Sequence, residues 1–370
     1  MFTNKYVKSL RPYQLVSHRA WEELEQGNEV LKLDWNESVI APSPEVKMAI
    51  TKFLNNGKLN WYPDVNNNSL RKAIAQYNQL EEGCIEYFPS SDALHEYTLR
   101  TYVEPEDVII IVAPTYDNFR AVAESYGAHI HYFYLTDDDF SFNLADFIQY
   151  LEKVRPKIVY LCNPNNPTGT QFEYRTLEFL ISTYDKILFI VDEAYYEFTG
   201  LTIKHLVSSS ENLIISRTFS KAFGLAGFRI GYCIASVSII NQINKVRNPK
   251  NISTLTQVAA IAALADIPYM MNYVRLVESA KKEFVRKLET LSDTKIRVFS
   301  GGGNFVLVHF LNNKGMSIAN YLEKKNIFLR SFSHIFKENE FVRITIGTPE
   351  QMDRVFMEIY HFLCNQDDVS

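Results

Sequence analysis

The chain has little of what marks many specialised protein classes. Four cysteines in 370 residues (Cys84, Cys162, Cys233 and Cys364) are too few and too scattered for a disulfide scaffold or a paired metal site. Reduced thiols in a cytoplasmic protein are the expectation. Eight scattered histidines form no HExxH pair, so no metal is expected. No apolar run reaches the roughly 18 residues of a membrane span, and the opening Met1-Phe2-Thr3-Asn4-Lys5-Tyr6 has no signal-peptide core. A net charge of −5 without a basic cluster argues against nucleic acid as a partner. There is no internal repeat and no low-complexity tract. What is present is a 46% hydrophobic chain, long enough for two domains sharing one site.

Apolar runs without alternation dominate the first two thirds. Val108–Ala113, Lys157–Cys162, Ile187–Val191 and Leu213–Ser216 read as strands buried on both faces, as in a parallel sheet covered by helices. Cys84–Phe88 is a weaker fifth run, ending before Ser90-Ser91-Asp92, a natural helix start. In open α/β sheets ligands bind beyond the carboxyl ends of strands. The five runs lead respectively into Pro114-Thr115-Tyr116, the stretch Asn163–Gly169, Asp192-Glu193-Ala194-Tyr195, the stretch Arg217–Arg229 and the Ser90 turn. One crevice should therefore collect a lysine, an aspartate, an asparagine, two tyrosines and several hydroxyls.

That inventory selects a cofactor. Lys221, just past a buried strand and near Arg229, is placed for a lowered pKa and a Schiff base with a carbonyl. Pyridoxal phosphate needs such an amine, a carboxylate at its pyridine nitrogen and donors around its phosphate. Asp192 is the candidate carboxylate, Asn166 and Tyr195 candidate partners of the ring oxygen, and Tyr116 a stacking face. Ser90 and Ser91 at a helix start, with Thr218, Ser220 and Arg229, would hold the phosphate. Each has a plainer reading: Asp192 as a helix cap, Asn166-Pro167-Thr168-Gly169 as a turn, Tyr116 as core, Lys221 as a surface charge. Their joint order and spacing favours the cofactor.

With these stretches, together with Trp61-Tyr62-Pro63-Asp64, Ser69-Leu70-Arg71 and Val342–Thr348, the chain resembles the fold-type I pyridoxal phosphate aminotransferases, and among them the histidinol-phosphate aminotransferase branch. The resemblance spans Leu33 to Thr348. It implies a large, mostly parallel-sheet domain (residues 42–265) and a smaller α+β domain built from residues 1–41 and 266–370. It assigns Lys221 to the cofactor and to proton movement, Asp192 to the pyridine nitrogen, and Asn166 and Tyr195 to the ring oxygen. Tyr116 becomes the stacking ring, Ser90, Ser91, Thr218, Ser220 and Arg229 the phosphate cup, and Asp92 a further cofactor-site residue. Tyr62 would reach the cofactor of a neighbouring subunit, which implies a homodimer with shared sites. Arg343 would grip the carboxylate of an amino-acid donor such as glutamate; its plainer reading is a surface ion pair. Arg330 matches a position that holds a substrate phosphate.

Departures bear on the substrate. Where the branch carries Asn-Glu-Asn-Pro-Tyr-Gly, this chain has Asn36-Glu37-Ser38-Val39-Ile40-Ala41, so Ile40 replaces a tyrosine expected to line the pocket. The leading expectation is transamination of a small phosphorylated oxo compound. Alternatives are a relative making a small phosphorylated amine such as serinol phosphate for surface polysaccharide, a phospho-amino-acid decarboxylase on the same scaffold, and a non-catalytic binding paralogue. Beyond residue 258, a single helix to Leu291 with Arg275, Lys281, Lys282, Glu283 and Arg286 outward is expected, then strands Lys295–Phe299 and Asn304–Phe310 around a hairpin turn at Gly301-Gly302-Gly303.

Overall fold

A computed structural model describes residues 2–13, 18–66, 68–291, 296–311, 314–332 and 340–364. In chain order the strands are β1 Leu31–Lys32, β2 Ile85–Phe88, β3 Val108–Ala113, β4 His129–Tyr134, β5 Ile158–Cys162, β6 Leu188–Asp192 and β7 Leu213–Thr218. Then follow β8 Gly231–Ala235, β9 Ile296–Phe299, β10 Phe305–Phe310, β11 Ile327–Phe328, β12 Arg330–Ser331 and β13 Phe341–Thr345.

Seven strands form one sheet in the order β2-β8-β7-β6-β5-β3-β4. The pairs β3–β4, β3–β5, β5–β6 and β6–β7 are parallel, while β8 runs antiparallel to both of its neighbours. All five apolar runs are strands of this sheet and point the same way. Their alternate residues feed two separate cores: Ile110, Val159, Val191 and Ile215 on one face, Ile111, Ile158, Ile190 and Ile214 on the other. Burial on both faces is why these runs show no polar alternation. The edge strand β4 alternates exposed and half-buried positions instead.

A four-stranded sheet, β12-β13-β10-β9, and the parallel pair β1–β11 pack over a third core containing Leu33, Val306, Ile344 and Phe362. β9 and β10 are joined as an antiparallel hairpin through the glycine triplet, as expected; Lys295 lies outside the described residues. The expected single helix to Leu291 is instead two, Thr254–Ala265 and Ile267–Glu289, bent by 76°. Pro268 sits in the first turn of the second helix and the Asp266 carboxylate caps it by accepting from the Tyr269 amide, so the backbone restarts there. Lys281 is not on the exposed face: its ammonium reaches the carbonyls of Gly301 and Gly303. We propose the domain division near residue 265, supported by the separate cores. The helix Ile267–Glu289 spans it, with Met270 and Val274 in one core and Val277 and Phe284 in the other. Among the described residues no single helix is long and apolar enough to cross a membrane.

Candidate active site

The carboxyl ends of the sheet strands and the edge of the smaller sheet enclose a cavity of about 610 Å³. Lys221 enters it from the turn after β7, where its ammonium donates to the Trp35 carbonyl at 2.7 Å. Burial, then the nearby Arg343 guanidinium, bring its pKa down to about 8. The site thus holds an amine that is partly neutral near physiological pH.

Asp192 ends β6 and is buried. One carboxylate oxygen accepts from the Ala194 amide at 3.1 Å, the other from the Tyr160 hydroxyl at 3.1 Å. His95 Nε2 lies 3.7 Å from the same oxygen as Tyr160. Desolvation pushes the Asp192 carboxyl above the usual carboxylate range. A carboxylate so placed gains from a cation that enters the cavity with its own N–H. Tyr195, whose burial raises its phenol to about 12, accepts from Asn36 Nδ2 at 2.8 Å and keeps its own O–H to donate. Asn166 is committed through its carbonyl oxygen, which accepts from Arg343 at 2.6 Å, so its amide N–H₂ is the remaining donor. Tyr116 is fixed by its hydroxyl on Asp92 at 2.9 Å.

The cavity is also rich in donors. Ser91 begins the helix Ser91–Tyr102, and Thr218 and Ser220 are hydrogen-bonded to each other at 3.0 Å. Arg229 approaches Asp92 at 3.4 Å. A side chain at Gly231 would meet the Ser91 amide at 2.6 Å, so only glycine lets this helix start close on the sheet. A helix N-terminus, two hydroxyls and a guanidinium make a donor set suited to an anion, in the same cavity as an acid and an amine. These residues fit pyridoxal phosphate.

Two arginines complete the lining. Arg330 and Arg343 are register partners on β12 and β13. Arg343 also donates to the Asp34 carbonyl, and its buried Nε has no partner among the described residues. It is no surface ion pair; desolvation lowers its pKa.

Two expected site residues, Ser90 and Ile40, are elsewhere, and Tyr62, expected at a neighbouring subunit's site, lies outside the cavity of its own chain. The Ser90 side chain does not line the cavity but caps the helix by accepting from the Ala93 amide at 3.3 Å. Ile40 packs against the third core rather than the cavity, its amide and carbonyl engaged by the Ser38 hydroxyl, so it is not a wall of this pocket. Tyr62 is 79% exposed, outside its own chain's cavity, with Lys250 over its ring at 4.7 Å. Sequence reading missed Tyr13, Trp21, Trp35 and Glu37, which line the cavity, and Tyr160 behind Asp192. The available signal was tryptophan itself: two of only three in the chain flank β1.

Comparison with known proteins agrees with this geometry. Residues 28–359 match the family described as aminotransferase class I and II. A dihydroxyacetone phosphate transaminase of Campylobacter jejuni is 44% identical over 99% of this chain and 98% of its own length. A histidinol-phosphate aminotransferase of Ruminiclostridium cellulolyticum is 33% identical over 91% and 93%. The crystal structure of histidinol-phosphate aminotransferase from Sinorhizobium meliloti, in complex with pyridoxal 5'-phosphate, superposes with a TM-score of 0.85 at 25% identity, covering 96% of each chain. The chain therefore belongs to the class I and II aminotransferases and is a pyridoxal phosphate-dependent transaminase of fold type I.

Proposed function

We propose that this enzyme moves the amino group of glutamate to a three-carbon oxo phosphate, converting dihydroxyacetone phosphate to serinol phosphate and glutamate to 2-oxoglutarate. The observation that carries the proposal is the pair Arg330 and Arg343, side by side on neighbouring strands and open to the cavity that holds Lys221. Two guanidinium forks suit a substrate set ending in carboxylate and phosphate. The likeness to the Campylobacter jejuni transaminase supports the small substrate.

The roles follow from the bonds already made. The cofactor, when bound, supplies a carbonyl for the amine and a ring that accepts the electrons left when a proton departs. Lys221 Nζ would take that proton from the substrate carbon that bears the nitrogen and deliver it to the carbon on the other side of that nitrogen, the 1,3-shift of a transamination. Asp192 would hold a proton on the ring nitrogen. Tyr195 O–H and Asn166 N–H₂ would donate to the ring oxygen, and Tyr116 would cover one face. Ser91, Thr218, Ser220 and Arg229 bind the phosphate, with Asp92 orienting Tyr116 and Arg229. Arg343 grips the donor carboxylate and Arg330 the acceptor phosphate. The exposed run Leu59, Trp61 and Tyr62 supports a homodimer in which Tyr62 completes the partner's site, and we place the enzyme in the cytoplasm.

The test is a half-reaction screen that follows the visible band of the loaded protein. Glutamate and serinol phosphate should discharge it, and the coupled reaction should yield 2-oxoglutarate. Preference for histidinol phosphate, or release of carbon dioxide from a phosphorylated amino acid, would overturn the proposal.

A further inference from the structure

The segment from Lys32 to Glu37 does more than carry backbone acceptors. Asp34 is 1% exposed, and it, Trp35 and Glu37 all line the cavity. The main chain here is held from two sides. Leu33 accepts from the Thr345 amide at 3.0 Å, the Asn36 amide donates to the Thr345 hydroxyl at 3.1 Å, and the Trp35 carbonyl accepts from Lys221. The indole therefore projects from a fixed point within hydrogen-bond reach of the reactive amine.

The ring is braced as well. Trp21, another wall residue, meets it edge-on with centroids 5.4 Å apart. Lys32 places its ammonium 4.8 Å from the Trp21 ring and 4.5 Å from the Trp35 ring. That ammonium is itself held by Asp34 at 2.9 Å and by Glu37. A cation shared between two indoles and anchored by two carboxylates leaves the wall little freedom to yield.

We propose that Trp35, braced by Trp21 and Lys32, is the specificity-determining wall that admits substrates with thin branches and excludes those bearing a second ring. This rests on the reading of a three-carbon phosphorylated substrate and names the residue that enforces it. Serinol phosphate presents a hydroxymethyl group and a phosphomethyl group. Glutamate presents an unbranched chain with a carboxylate at each end, matched to the two arginines. Histidinol phosphate adds an imidazole that needs a flat slot of its own, and Trp35, whose carbonyl takes the Lys221 ammonium, lines the cavity in which such a slot would open. Ile40, against the third core, cannot set this limit.

The experiment measures kcat/KM of the amine half-reaction for serinol phosphate and histidinol phosphate in the wild-type holoenzyme, Trp35→Ala, Trp21→Ala and Lys32→Met. Cofactor affinity and melting temperature are recorded for each. Trp35→Ala should move the ratio toward histidinol phosphate by about tenfold or more, the scale on which pocket contacts discriminate. Trp21→Ala and Lys32→Met should move it in the same direction by less, since they loosen the indole without removing it. They also carry the test should Trp35→Ala not fold. Equal losses for both substrates, with the ratio unchanged, would show a merely structural wall and overturn the inference. A wild-type enzyme that already prefers histidinol phosphate would overturn the substrate reading instead, which separates the two failures.

Discussion

At the scale of single residues, the site works by keeping cations where water is scarce. Lys221 loses protons near pH 8 because burial and Arg343 both penalise its charge. Only the neutral amine can take up a carbonyl, so capture of pyridoxal phosphate by the apo-protein should accelerate as pH rises, with a midpoint near 8 rather than at the usual lysine value. Replacing Arg343 by Met removes a neighbouring positive charge, so Lys221 should hold its proton longer and the midpoint should move upward. Stopped-flow uptake across pH reads both; an unshifted midpoint in the variant would detach Lys221 from Arg343. The two arginines should separate by substrate. Arg343→Lys should impair the half-reaction with glutamate while largely sparing serinol phosphate, since an ammonium cannot reproduce the bonds to Asn166 and the Asp34 carbonyl together with a bidentate carboxylate. Arg330→Ala should cost phosphorylated substrates roughly ten- to a hundredfold, one charge-assisted bond of about 1.5–3 kcal/mol. Equal effects on an amine that carries neither a phosphate nor a second carboxylate would refute the phosphate role.

At the scale of elements, two turns set the cavity's shape. Ser90 begins its helix at φ 93, a conformation that favours glycine, while its hydroxyl supplies the cap. Ser90→Gly relieves the backbone and forfeits only a few tenths of a kcal/mol of capping, so its melting temperature should match or exceed wild type. Ser90→Ala keeps the strain and loses the cap, and should cost roughly 1 kcal/mol. The glycine hairpin between β9 and β10 abuts the loop that carries Asn166: a side chain at Gly301 would meet the Gly169 carbonyl at 2.0 Å, and the Gly302 amide donates to that same oxygen at 2.7 Å. Gly301→Ala should lower stability by about 1–3 kcal/mol and loosen cofactor retention, checked by denaturation and by equilibrium dialysis. Five of the seven strands of the large sheet were legible because burial on both faces writes itself as an unbroken apolar run. The edge strand β4, only half covered, and β8, which runs antiparallel to its neighbours, were not read as strands. The wall at Trp35 was also hidden. Its position depends on Leu33 and Asn36 meeting Thr345, a pairing that no local pattern encodes. Ile40 was chosen for its place in a motif, and Trp35, five residues earlier, took the role by geometry.

At the scale of the whole molecule, the site draws on both sheets and, in our proposal, on a second copy of the chain. Tyr62→Phe should weaken cofactor retention by roughly 1–3 kcal/mol. Mixing Lys221→Ala with Tyr62→Phe subunits should produce hybrids with one doubly damaged and one intact site, restoring part of the wild-type activity. A fully active monomer in sedimentation would contradict the arrangement. Within one chain, the bond from Arg343 to the Asp34 carbonyl joins residues 309 positions apart, and that span orders events during synthesis. The cradle around Lys221 can form once residue 235 has been made and the large sheet closes. The carboxylate grip must wait for β13, near the end of translation. A nascent chain would thus assemble the cradle well before the arginine that both lowers the Lys221 pKa and selects what the amine meets. Fragments stopping short of residue 340 would carry an amine that holds its proton to higher pH and does not discriminate.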